Sequence, residues 1–394
     1  MDIQLEKQEL LARIDKFHAL MAKTAPNWDT AIIVNKVNQY YFTGTMQDGL
    51  LVLKRNGQVA YFARRSYERA RAESPLEWIY PMESYKDAIA IVGADCGNTY
   101  FELEVVPVNM LERIKKYFLT TSVNSMDRIL LSLRAIKSPY ELFYIEKSGA
   151  QHQQLMEEII PTILKEGMTE ADFLAETFAR MYKMDYHGIS RFAMFQTEMV
   201  IGQIGFGDGS LTGSNFDGPG GALGLSAATP FGGSRTRRLQ KGDLVFVDIG
   251  YGVNGYHSDK TQVYSFMAPP PETAITQHAL CIKIQTELAA QLLPGKIPAD
   301  IYNDFYATHP HIPNFMGFGA RQAKFLGHGV GLVIDEYPII TNSFPFAIAE
   351  NMVISLEPKI GIAGLGMVGV EDTYVVTQNG GRCITGGGRE IIVV

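Results

Sequence analysis

The sequence predicts an α/β N-terminal domain followed by an α+β C-terminal domain, with the division at 1–133 and 134–394. Three observations carry this. The 394 residues exceed what one ordinary hydrophobic core serves. Strand-like and helix-like patterns alternate as far as Asp127 to Ser138. Beyond a mainly helical stretch, hairpin patterns follow that carry acidic residues.

In order along the chain, the first element is an amphipathic helix with Leu5, Leu10, Leu11, Ile14, Phe17 and Leu20 at helical spacing. AIIVNKVNQYYFTG reads as an apolar strand and its connection, and GLLVLKRNGQVAYFA as two strands joined at Asn56-Gly57, a pair suited to positive φ. Helical stretches around Ser66 to Ala72 and Asn109 to Phe118 complete the α/β pattern. Ser138, Pro139 and Glu141 resemble a helix start, and Met168-Thr169-Glu170 opens another helix through Met184. Residues 202–233 are glycine-rich and read as a long loop over the site. A hairpin, a helix from about Thr273 to Leu292, a loop with His309 and His311 and two further strands follow.

Bulk properties exclude several function classes. With 46% hydrophobic and 20% charged residues, the chain has the balance of a folded globular protein. A net charge of −7 gives no broad attraction to nucleic acid or anionic lipid. No apolar run is long enough to cross a bilayer, and the charges spread through the first residues do not fit a signal peptide, so a cytoplasmic location is expected. Cys96, Cys281 and Cys383 are widely spaced and suggest neither a disulfide framework nor a thiolate metal site.

The chemistry gathers in two hairpins. A two-residue turn at Asn254-Gly255 sets Gly250 opposite Asp259 and Asp248 opposite Thr261, leaving the two aspartates as diagonal neighbours on one face, roughly 7–8 Å apart at Cα. Glu357 and Glu371 are equidistant from Gly364, so a three-residue turn there places them opposite each other. Between the hairpins, FLGHGVGL flanks His328 with glycines that let backbone approach a ligand. Singly, each acid reads as a solvated group and the histidine as structural. Together, four carboxylates need balancing charge, which two divalent cations supply. Oxygen ligands with one imidazole suit Mn, Co, Fe or Zn, and such a centre activates water for hydrolysis. Glu357 and His328 are the candidate catalytic residues, with Glu357 or a neighbouring acid as a proton shuttle to a leaving amine.

RRLQKGDLVFVDIG, HSDKTQ, GHGVGL, VISLEP and GVEDTYVV, in this order, resemble the family of methionine aminopeptidase, aminopeptidase P, prolidase and creatinase. DGLLVLKRNGQVAYFARRSYERA and LRAIKSPYELFYIEKSGA resemble its creatinase-type N-terminal domain and junction. The resemblance implies a pita-bread catalytic domain, a homodimer, small peptide or amide substrates, and Asp248, Asp259, His328, Glu357 and Glu371 as five ligands of two metal ions, with Asp259 and Glu371 bridging. The expected activity is Xaa-Pro peptide hydrolysis.

Two positions depart from the family pattern. Pro230-Phe231-Gly232 stands where PHG is usual, and GHGVGLVIDE places Asp335 where a second histidine is usual. Phenylalanine neither donates a hydrogen bond nor carries a proton. The departures motivate two alternatives, a lyase or non-peptide amide hydrolase and a non-catalytic binding protein. His187, His257, His309 and His311 are the candidates to replace the lost imidazoles, each more readily read as structural.

Overall fold

The computed structural model describes residues 3–194, 197 and 199–394, with side chains from residue 6 onward. The chain divides into two compact units, one ending at Arg134 and one spanning Ala135–Val394.

The first unit opens with helix α1 (Ile3–Thr24), which buries Leu10, Ile14 and Phe17 while leaving Leu11 exposed; Leu5 lies outside the described side chains. Strand β1 (Thr30–Ile33) is followed directly by helix α2 (Lys36–Thr43), so the stretch expected as strand and connection is half helical. The side chain of Asn35 accepts from the Val37 and Asn38 amides, and Gly44 closes the helix at φ 73°. This local capping outweighs the strand preference of the Tyr-Tyr-Phe-Thr run. Strands β2 (Gly49–Lys54) and β3 (Val59–Ala63) form the expected hairpin. Four residues, 55–58, join the two strands, and Gly57 takes the positive φ, 90°.

Helix α3 (Tyr67–Glu73), strand β4 (Ile79–Pro81), helix α4 (Tyr85–Val92), strand β5 (Asp95–Phe101), helix α5 (Val108–Lys115), strand β6 (Leu119–Ser125) and helix α6 (Asp127–Ala135) follow. A capping box between Ser84 and Asp87 starts α4, which the sequence pattern did not suggest. The six strands form one mixed sheet in the order β4-β3-β2-β1-β5-β6, over a core that includes Ile32, Val52, Phe62, Phe101 and Phe118. The expected α/β class is observed.

The second unit begins with α7 (Pro139–Gln154), started by a capping box between Ser138 and Glu141 with Pro139 in the first turn, as expected. A π turn leads into α8 (Ile160–Ile163), and Thr169 with Asp172 caps α9 (Glu170–Tyr182). The segment 202–233 is not loop throughout. Gly202–Phe206 forms strand β7, antiparallel to β8 (Leu244–Val253). Its glycines permit contact rather than disorder: a Cβ at Gly202 would lie 2.3 Å from the Asp248 carbonyl.

Strand β9 (Tyr256–Ser265), helices α10 (Glu272–Ala290) and α11 (Pro298–Thr308), and strands β10 (Gly317–Phe318) and β11 (Arg321–Gln322) come next. Then follow β12 (Gly327–Val330), β13 (Ile334–Ile339), β14 (Val353–Leu356), β15 (Lys359–Ile362), β16 (Gly366–Gly369), β17 (Asp372–Thr377), β18 (Gly380–Cys383) and β19 (Ile392–Val393). Helix α11 and most of these short strands exceed what the sequence pattern suggested. Three sheets result, ordered β19-β9-β8-β7, β13-β12-β14-β17-β18 and β11-β10-β15-β16. One core joins Ile284, Leu288, Ile301 and Phe305 of α10 and α11 to Ile354, Leu356 and Val368 of the strands. A second joins Leu155 and Phe173 to Ile204, Val247 and Tyr264. Truncating a fully buried ring such as Phe173 costs about 3–5 kcal/mol, so the strands carrying the acids are braced by two cores.

Candidate metal centre

The first hairpin forms with the register expected of it. Asn254 (φ 50°) and Gly255 (φ 89°) make the turn, Gly250 faces Asp259, and Asp248 faces Thr261. Positive φ at both turn residues matches the twist of the flanking strands.

The second hairpin turns at Gly364, φ 76°, pairing Lys359 with Gly369 and Ile362 with Gly366. Beyond Glu357 and Glu371 the same register continues, with Leu356 opposite Asp372 and Ser355 opposite Thr373. The two glutamates therefore stand opposite each other where the hairpin passes from one sheet to the next. The Thr261 amide donates to the Glu371 carbonyl at 3.1 Å and joins the hairpins.

His328 enters from β12, between β13 and β14. Its Nε2 lies 3.5 Å from Glu357 Oε1, 3.5 Å from Glu371 Oε1 and 4.0 Å from Asp259 Oδ2. Its Nδ1 donates to the Gly329 carbonyl at 3.2 Å and lies 3.5 Å from Asp335 Oδ1. With Nδ1 holding the hydrogen, the Nε2 lone pair is left for an ion. One ligand atom each from Asp259, His328 and Glu371 lies within 4.8 Å of the others, spacing that fits one first-row divalent ion.

Asp248 is held differently. It accepts from Thr261 Oγ1 at 2.8 Å and from Lys359 Nζ at 2.9 Å. Lys359 also donates to Glu357 Oε2 at 2.8 Å and Glu371 Oε2 at 2.7 Å, and it is fully buried. Where two ions were expected to balance the four acids, the chain itself supplies one positive charge. Sequence reasoning missed this lysine, although the signal was available: residues 357 and 359 share a strand face.

Burial dominates the electrostatics. It pushes the Glu357 carboxyl up to about 8, with Glu371 adding repulsion, and Asp248 up to about 6 against the pull of Lys359. Asp259 is raised by burial and then by Glu371 and Asp248. For Glu371 burial is outweighed by Lys359 and His328, and its carboxyl is lowered. Burial disfavours the His328 imidazolium, yet Asp335, Glu371 and Glu357 raise it overall. A bound cation relieves this frustration by favouring the ionised acids.

The acids and His328 line a cavity whose other walls include Phe192, Met199, Phe216, Phe325 and Ile334. Part of segment 202–233 covers it, through Gly202, Gln203, Phe216 and Gly218. Gly220 approaches so closely that a Cβ would lie 2.3 Å from Gln203 Oε1 and 3.1 Å from Asp248 Oδ2. Asp335 lines the cavity from strand β13; Phe231 is buried and is not among the lining residues.

None of the four substitute histidines reaches the cavity. His187 accepts from the Gly255 amide and donates to the Ile189 carbonyl; His257 accepts from the Arg191 amide and donates to the Gly331 carbonyl. His309 lies against the Phe305 carbonyl at the end of α11, and His311 is exposed. These rings brace backbone.

Comparison with known proteins agrees with this picture. Residues 13–136 match the creatinase/prolidase N-terminal domain, and residues 144–378 match metallopeptidase family M24. A Xaa-Pro dipeptidase of Pyrococcus furiosus is 27% identical over 368 residues, covering 92% of this chain and 95% of that protein. The solved prolidase of Pyrococcus horikoshii OT3 superposes with a TM-score of 0.77 at 22% identity, over 97% of this chain and all of that one. A Xaa-Pro dipeptidase from Bacillus anthracis gives 0.78 at 18% identity, over 98% and 100%. At these identities the solved structures speak for the fold, the expected pita-bread arrangement. Among the described residues no helix is long and apolar enough to cross a membrane. The M24 match spans more than half of the chain and includes all five candidate ligands: the protein belongs to metallopeptidase family M24.

Proposed function

We propose that the chain hydrolyses Xaa-Pro bonds in short peptides, using divalent metal held by the set Asp248, Asp259, His328, Glu357 and Glu371. The observation that carries this reading is the convergence of His328, Asp259, Glu357 and Glu371 on one cavity that also has Phe192, Phe216 and Phe325 in its lining. The curated relatives named Xaa-Pro dipeptidase support the substrate class. The division at 133/134 and a homodimer belong to the same reading. So does a reducing, cytoplasmic setting, which the three free cysteines favour.

A divalent ion held by these residues would supply an activated water and polarisation of the scissile carbonyl. The chain's own groups do the rest. Glu357, whose Oε1 stands 3.5 Å from His328 Nε2, is the acid placed to pass a proton to the leaving nitrogen. Phe192, Phe216 and Phe325 offer apolar surface to a proline ring and exclude water. Asp335 and the Gly329 carbonyl hold the His328 ring in place.

The test is to load the purified protein with Mn, Co, Fe or Zn, measure bound metal, and assay Xaa-Pro dipeptides and longer Xaa-Pro peptides. Cleavage before nitrogen of proline is expected. A filled site that cleaves none of them overturns the proposal. Light scattering after size exclusion reads the oligomeric state.

A further inference from the structure

Each catalytic-site glutamate divides its two oxygens between different partners. Oε1 of Glu357 and Oε1 of Glu371 both face His328 Nε2 at 3.5 Å. Their Oε2 atoms both accept from Lys359 Nζ, at 2.8 and 2.7 Å, and Asp248 Oδ2 completes the set at 2.9 Å. The centre therefore has two poles. One, with His328 and Asp259, has the donors of an ion site. The other is already filled by an ammonium.

An ammonium has three hydrogens and no acceptor, and these three carboxylate oxygens use all of them. The group is fully buried, as a lysine is only when paired. The surrounding chain is shaped for it. Gly369 is the register partner of Lys359, and a Cβ there would lie 2.6 Å from Lys359 Cα and 3.1 Å from its Cγ. An ion on Asp248, Glu357 Oε2 and Glu371 Oε2 would need the space that Nζ occupies.

We infer that the site takes a single divalent ion, at His328, Asp259, Glu357 and Glu371, and that the Lys359 ammonium stands as the built-in second cation, neutralising Asp248 and orienting both glutamates. This rests on the hydrolytic metal reading above. It assigns Lys359 a positioning role: its hydrogens are spent on the acids, and it acts on substrate only through them.

The experiment is to reconstitute the full-length protein with Mn(II), remove loose ion by gel filtration, and measure metal per chain together with the electron paramagnetic resonance spectrum. The wild type is expected to hold one ion per chain with an uncoupled, mononuclear Mn(II) signal. Lys359→Gly, which vacates the pole, is expected to hold two, with a broadened, exchange-coupled signal. Two coupled ions in the wild type overturn the inference and leave the proposed function standing. No bound ion in the wild type overturns both. A folded Lys359→Gly protein that stays at one ion also overturns it. If that variant does not fold, the wild-type stoichiometry and spectrum decide alone.

Discussion

Asp335 Oδ1 stands 3.5 Å from His328 Nδ1, on the far side of the ring from the acids that Nε2 faces. Strand β13 delivers it through an irregular register with β12 and a backbone φ of 70° at Asp335 itself. A position read from sequence as a lost histidine is thus a carboxylate behind the candidate ligand, an arrangement that orients an imidazole and raises its basicity.

Asp335→Asn should therefore weaken divalent-ion binding about 10- to 100-fold, the usual effect of removing a group behind a metal-binding histidine. Competition with a chelator of known affinity measures it. Unchanged affinity would show that the Gly329 carbonyl orients the ring unaided.

Asp259→Ala should strip the ion. Asp259 belongs to the one cluster of mutually close ligand atoms found among the described residues, with His328 and Glu371. Elemental analysis of the purified variant is the check, and stoichiometry equal to wild type would mean that the ligand set is wrongly assigned.

Behind the site, Lys260 Nζ and Asp372 Oδ1 form a fully buried ion pair at 2.7 Å. Alternation along β9 and β17 turns this pair away from Asp259 and Glu371, so it ties the two acid-bearing hairpins together from their other face. Lys260→Met leaves Asp372 buried and uncompensated and should cost about 3–5 kcal/mol. Lys260→Met with Asp372→Leu should cost clearly less, because neither charge then remains. Urea unfolding of both variants reads this, and a double variant as unstable as the single one would refute it.

Acid should destabilise the second unit through buried histidines. Burial, with Lys260 adding repulsion, depresses His152 to about 3, and burial depresses His257 to about 4, against an ordinary value of 6.5. Below pH 6.5 the unfolded chain gains protons that the native chain refuses. Stability is thus intact above that pH and lost as pH falls toward 3–4, by about 1.4 kcal/mol per pH unit for each histidine. Unfolding free energies between pH 7 and 5 should show this, and His152→Gln should flatten the slope by about one proton. An unaltered slope would remove His152 from the account.

Much of the candidate site was legible because strands and tight turns obey local rules. Asn254-Gly255 and Gly364 set the turns, and period-two alternation then placed Asp248 near Asp259 and Glu357 opposite Glu371. Helix starts at Ser138 and Thr169 were equally local, each written in a cap and the acid three residues on. Helix α2 was misread because a single cap at Asn35 overrides a run of strand-favouring residues. Strand β7 was hidden because its glycines serve close contact with β8, a partner about forty residues away, and leave no local pattern.

By itself the sequence determined the two-domain class, the order of the acids and His328, and the pairing within each hairpin, since these depend on residues near one another in the chain. Only the tertiary structure decided what meets across hairpins. It set Asp335 behind His328, left Phe231 outside the cavity lining, and brought Lys359 Nζ among acids from both hairpins. The physical reason is that a buried charge is tolerated only where distant strands deliver its partners, and which strands converge is settled by core packing, not by local pattern.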